Sequence, residues 1–192
     1  VTAAALRTAS PSAAPAGRTS IAVRLGAVTA LAIFVGLQWA TLVFPSIPGR
    51  MLLGVIVGAA GGATIALARS RRQLVIALAS LALVPLGLLA AGASVRELLP
   101  GGWGTLATSI GDALSALPDT RVPYTGADGY VPLVIAAGGI ALILFAFVAA
   151  AAFPRRGRIL AVLALVVVYA VPATQTSASS PYLRGAVFAV LV

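Results

Sequence analysis

The chain contains no cysteine, no histidine and no lysine, and only four of its 192 residues are acidic. Without cysteine there are no disulfides and no thiol nucleophile. Without histidine the commonest general base and the usual zinc and haem ligands are missing. A zero cysteine count does not identify a redox compartment, because it fits any of them. No metal or cofactor site is expected.

Charge is scarce as well. Charged residues make up 9% of the chain and hydrophobic ones 60%, whereas soluble domains carry about 25% charged residues. A soluble helical bundle of this composition would have little polar surface to offer water. The composition therefore predicts an integral membrane protein. A net charge of +9 raises the question of nucleic acid. The arginines, however, sit at the ends of apolar runs and not along one face with interleaved aromatics, so no nucleic-acid partner is expected. Arginines at span ends are instead a topology signal.

What is present is a series of long apolar runs. Residues 1–20, rich in Ala, Ser, Pro and Thr, read as a disordered tail. Spans are expected at 25–44, 51–68, 74–93, 131–153 and 159–176, and a sixth begins at 183–192. Twenty helical residues reach about 30 Å, the thickness of the hydrocarbon core. Trp39 falls near the end of the first span and is expected at the membrane interface. "PSIPGR", residues 45–50, reads as a tight turn. Gly54, Gly58 and Gly62 recur at four-residue spacing on the second span. They form a small-residue ridge suited to close helix packing within the subunit. Pro85 should kink the third span. The fifth run reaches only 13 residues before Pro172, so a re-entrant segment is the alternative to a full span. The chain begins with Val1 and its last eight residues are uncharged and apolar, so a longer protein is expected.

Arginine placement predicts the topology. Each arginine at mid-membrane would cost about 2.5–3.5 kcal/mol on insertion scales. With the N-terminus inside, nine arginines (7, 18, 24, 69, 71, 72, 155, 156 and 158) are cytoplasmic. Arg50, Arg96, Arg121 and Arg184 face out. The excess of positive charge favours this orientation in the plasma membrane. Segment 94–130, with all four acids, is then extracytoplasmic.

Within that segment, Trp103, Leu106, Ile110, Leu114 and Leu117 recur at helical steps. Thr105, Thr108, Ser109, Asp112 and Ser115 take the opposite side. This predicts a short amphipathic helix in the membrane interface, anchored by Trp103 and ended by Pro118. The following turn-rich stretch places Arg121 within reach of Asp119 or Asp128, and Tyr124 at headgroup level. Trp103, Asp119, Arg121, Tyr124 and Asp128 are the candidate residues of this outer loop. It reads either as a solvated connection or as a packed cap and docking surface. Asp112, Asp119 and Asp128 match no cation-loop spacing.

"ALSALPDTRVPYTGADGYVPL", an apolar span ending "AAFPRRGR" and a run ending "YAVPA" together resemble the N-terminal membrane region of actinobacterial transglutaminase-like (TgpA-type) membrane proteins. Leu117, Pro118, Asp119, Arg121, Val122, Pro123 and Tyr124 fit the loop of that family. Phe153, Pro154, Arg155 and Arg156 fit its aromatic-Pro-Arg-Arg cluster. Gly129-Tyr130 departs from it, standing where an acid- or proline-flanked Trp is expected. The specific part covers about residues 111–185. The resemblance implies a helical membrane region followed by an extracytoplasmic enzyme domain with a Cys-His-Asp triad. That triad cannot lie in this chain, so no catalytic residue carries over.

The expected protein is an all-α polytopic bundle of about six spans, non-catalytic in itself. It would anchor and orient a downstream extracytoplasmic domain of the same chain. Its partners would be the lipid bilayer, that domain and another membrane protein. The alternatives are a small-molecule transporter or permease subunit and an assembly partner in a cell-envelope complex. Transporters usually carry ionisable groups at mid-membrane, and the span interiors here hold none.

Overall fold

The computed structural model describes residues 16–68, 72–119, 122–125, 127, 129–153 and 156–175, with backbone alone for 16–20 and Arg72. The expected sixth span at 183–192 lies outside the described residues. So do Arg121, Asp128 and most of the expected tail.

Among the described residues, five helices are long and apolar enough to cross a membrane. They are α1 (Ala16–Trp39), α2 (Pro48–Leu67), α3 (Arg72–Ala91), α6 (Val131–Ala152) and α7 (Arg156–Gln175). Two short helices, α4 (Val95–Leu98) and α5 (Trp103–Ala116), lie between α3 and α6.

Several boundaries differ from the sequence reading, each for a local reason. α1 begins at Ala16, inside the expected tail. Pro15 is the last proline before Pro45, so nothing in between breaks the helix. α2 begins at Pro48, within the expected turn. At a first-turn position the fixed φ of proline suits the helix and its missing N–H is not needed. α7 runs unbroken from Arg156 through Pro172 to Gln175.

α6 is the centre of the bundle. Half of its most apolar window is buried, against 22–33% in the other long helices. It packs against α1, α2, α3 and α7. Its sequence is apolar all round, the pattern of a helix surrounded by others. Ile140, Ile143 and Phe147 of α6 interlock with Val35 of α1, Met51 of α2 and Leu165 of α7, all fully buried. Among the described residues the core contains no buried polar or charged side chain.

The glycine ridge of α2 lies against α6. A methyl at Gly54 would stand 2.8 Å from Ile140 Cγ1, and one at Gly58 2.5 Å from Phe147 Cδ2. At Gly62 the nearest atom would be Leu25 Cδ2, at 3.2 Å. Where lipid surrounds the helices, close van der Waals contact of this kind is what holds them together.

Trp39, the last residue of α1, faces into the bundle and not outward. It is 6% exposed, and its Nε1–H donates to the Ile135 carbonyl at 2.8 Å. A side chain at Gly139 would collide with the indole. The absent Cβ one turn along α6 opens that carbonyl to a ring from α1.

Candidate functional site

Among the described residues, most side-chain hydrogen bonds outside the helices' own turns gather at one end of the bundle, where the α1–α2 connection, the end of α3, segment 94–130 and the start of α6 meet. The segment starts from a firmly ended helix. Gly92 (φ +107°) closes α3, with its N–H donating to Leu89 O and the N–H of Ala93 donating to Leu88 O, both at 3.0 Å. This is the paired closure that a left-handed glycine permits. Arg50, at the start of α2, donates from Nη1 to Ala91 O at 3.1 Å. A cation at the negative end of a helix is favourable.

Immediately afterwards α4 begins with a reciprocal cap. The Ser94 N–H donates to Glu97 Oε2 at 2.7 Å, and the Glu97 N–H to Ser94 Oγ at 3.3 Å. The other Glu97 oxygen, Oε1, accepts from the Tyr130 hydroxyl at 2.8 Å. Tyr130 precedes the first residue of α6, so one carboxylate ties α4 to the entry of a central helix. The Ser94 N–H, then the Tyr130 hydroxyl, hold the Glu97 carboxyl below its ordinary range. The same carboxylate, through its hydrogen bond and its charge, pushes the Tyr130 phenol up, and the Ser109 hydroxyl partly offsets that rise.

The chain then turns through Gly102 into α5. A Cβ at Gly102 would meet the carbonyl of Arg96 at 2.5 Å and the backbone of Glu97. Trp103 is 64% exposed, and its Nε1–H donates to Leu98 O at 2.6 Å, which folds the start of α5 onto α4. The buried face of α5 is narrower than its sequence pattern. Leu106 and Ala113 are buried, and Ile110 and Leu117 are half-buried. Leu114, expected on the same face, is 52% exposed. The inward stripe follows 106, 110, 113 and 117, which brings in an alanine and leaves both Trp103 and Leu114 outside.

Asp119 ends a single tight turn after α5 and is exposed. Tyr124 and Thr125 form β2, which pairs in parallel with β1 (Val43–Phe44), Val43 opposite Tyr124. Tyr124 is half-buried against the main core, as is Val122. The structure thus places Trp103 on α4 and Tyr124 beside the α1–α2 connection, and leaves Asp119 at the surface. Arg121 and Asp128 lie outside the described residues. Among the described residues no cluster of His, Cys, Asp or Glu could hold a metal ion.

Two parts of the site escaped sequence reasoning. The first is the Glu97–Tyr130 bond, half of which was visible in the Ser-x-x-Glu spacing of a capping box. The second is the β1–β2 pair, whose two-residue strands carry no readable alternation. No protein-family model, no curated protein and no solved structure matches the chain.

Proposed function

We propose that this chain is the multi-pass membrane domain of a transglutaminase-like envelope protein. In this reading it does no chemistry itself and presents a downstream catalytic domain on the extracytoplasmic side. The observation that carries the reading is the five-helix apolar core, which among the described residues buries no polar or charged side chain. Such a core suits an anchor. A transporter would need polar or ionisable groups along its path. The second support is the folded segment between α3 and α6. It is tied to the bundle by Glu97, Tyr130 and the β1–β2 pair, and it would make a firm base for a domain above it.

In this reading the N-terminus is cytoplasmic, as the arginine distribution favours, and 183–192 begins a sixth span. α5 lies in the interface with Trp103 and Leu114 turned to lipid. Two measurements test the proposal. A cysteine at Thr125 or Ala127 should react with a membrane-impermeant maleimide from outside the cell, and one at Ser70 should not. The reverse pattern overturns the orientation. The gene beyond Val192 should encode a soluble segment with Cys, His and Asp. A stop codon after one or two further helices ends the anchor reading.

A further inference from the structure

The helices around α6 do not close into a ring. α7 packs on α1, α1 on α2 and α2 on α3, and each of the four packs on α6, but α3 and α7 are not a packed pair. The arc is therefore open between α3 and α7, and the central helix shows through the opening. The only exposed residues of α6 are Gly138, Ala141 and Phe145. They recur at three- and four-residue steps and so share one side of the helix. A cleft of about 570 Å³ runs along this stripe, bounded on its other side by Leu83, Val84 and Gly87 of α3.

The path of the chain beyond α7 leads to this opening. α7 starts beside the end of α6, where a Cβ at Gly157 would meet the Ala149 carbonyl, and runs back along α6 to Gln175. It delivers the chain to the end of the bundle where α6 begins, and it is itself one side of the opening. Seven residues, 176–182, separate Gln175 from Leu183. Extended, they reach up to about 23 Å, and packed helices lie only about 8–10 Å apart. Elements joined by so short a connection usually lie side by side. Residues 185–192, "GAVFAVLV", are apolar and uncharged. As a helix they would carry Gly185 and Ala189 on one face, four residues apart. The cleft offers Ala137 and Ala141 at the same spacing. Small residues on both sides let two helices approach closely in lipid.

The geometry points to residues 185–192 of this same chain as the occupant of the cleft, lying parallel to α6 and closing the ring around it. Eight helical residues reach about 12 Å, enough to cover the stripe from Val134 to Ala141. Arg184, one residue earlier, stays at the polar end and out of the hydrocarbon. The inference rests on the reading of 183–192 as the start of a sixth span.

The chain has no cysteine of its own, so introduced pairs report proximity without background. The test uses the full chain in its membrane, with Ala141→Cys combined in turn with a cysteine at each of positions 185–192 and oxidised by copper phenanthroline. A disulfide requires Cα atoms within about 7 Å. Cross-links within one chain should form at positions three or four residues apart. Ile56, exposed on α2, lies on a helix away from the opening, and Ile56→Cys in place of Ala141→Cys should give none. Gly138 has open space around its missing Cβ, so Gly138→Leu fills the cleft without a backbone collision and should lose most of the cross-link. No cross-link from Ala141→Cys, equal yields from Ile56→Cys, or an unchanged yield in Gly138→Leu overturns the seat. Cross-links of doubled mass overturn it too, and assign the cleft to a second copy. Ala189→Cys alone, treated with a membrane-impermeant maleimide from either side, separates the two readings. Labelling there overturns the sixth span itself, whereas protection without a cross-link overturns only the seat and leaves the stripe to lipid.

Discussion

The bundle core and the segment between α3 and α6 are held together by different means. Between α2 and α6 the contacts are Gly54, Gly58 and Gly62 against Ile140, Leu144 and Phe147, with no polar group involved. Between α4 and α6 the contact is one carboxylate shared by Ser94 and Tyr130. In the first region specificity comes from what is missing, a Cβ at each close approach. In the second it comes from directed donors and acceptors, where water is near and an unmet partner costs less. Changes of size should therefore damage the core, and changes of polarity should loosen the segment.

The largest effect is expected at Gly58. Leucine there would drive into Phe147, and overpacking of this kind costs roughly 1–3 kcal/mol or more. Gly58→Leu should lower the yield of monodisperse protein and its melting temperature in detergent. Gly62→Ala, whose nearest contact would be 3.2 Å, should be close to neutral. Equal behaviour of the two would show that the ridge does not hold the bundle.

A smaller effect is expected at Trp39, where the two kinds of contact meet. Trp39→Phe keeps most of the ring but loses the hydrogen bond to Ile135, worth about 1 kcal/mol. It should lower the melting temperature by a few degrees at most. A loss as large as that of Gly58→Leu would mean that the indole packs by shape more than by its N–H.

The smallest effect on global stability is expected in the segment. Tyr130→Phe removes the tie to Glu97, and at this exposed site it should leave the melting temperature nearly unchanged while speeding proteolysis within 94–130. The same tie predicts a pH dependence. Glu97 is held below its ordinary value of 4.5, so its contribution is present above that value and lost as pH falls through the lowered one. Tyr130 is raised above its ordinary 10.0, so its contribution is present below that value and lost as pH rises through the raised one. Protection of the segment in limited proteolysis should be greatest between these limits; Tyr130→Phe should remove the alkaline limb and weaken the acid one, which the Ser94 N–H still supports.

The candidate site was partly legible for similar reasons. The period of Leu106, Ile110 and Leu117 marked α5 as a helix, because local spacing fixes which residues share a face. It did not show that Ala113, and not Leu114, points inward. That depends on where α3 and α6 stand. The Ser94-x-x-Glu97 spacing carried a cap signal between near neighbours that the sequence reading passed over. Glu97 and Tyr130 are 33 residues apart, and nothing in either stretch names the other. Trp39 had the residue type and position of an interface anchor, yet a glycine at 139, on another helix, leaves room for it inside.

Composition and local period were enough to mark four long apolar helices and a fifth apolar run that Pro172 left open, a polar segment between α3 and α6 and a glycine face on α2. Each of these follows from the solvation of residues and the geometry of a single helix, which neighbours in the chain dictate. Which helix lies at the centre, which carbonyl meets Trp39 and which oxygen meets Tyr130 depend on residues far apart in sequence. Those were decided only when the helices packed, because close contact selects partners by shape and hydrogen-bond geometry, and neither is written in one segment alone.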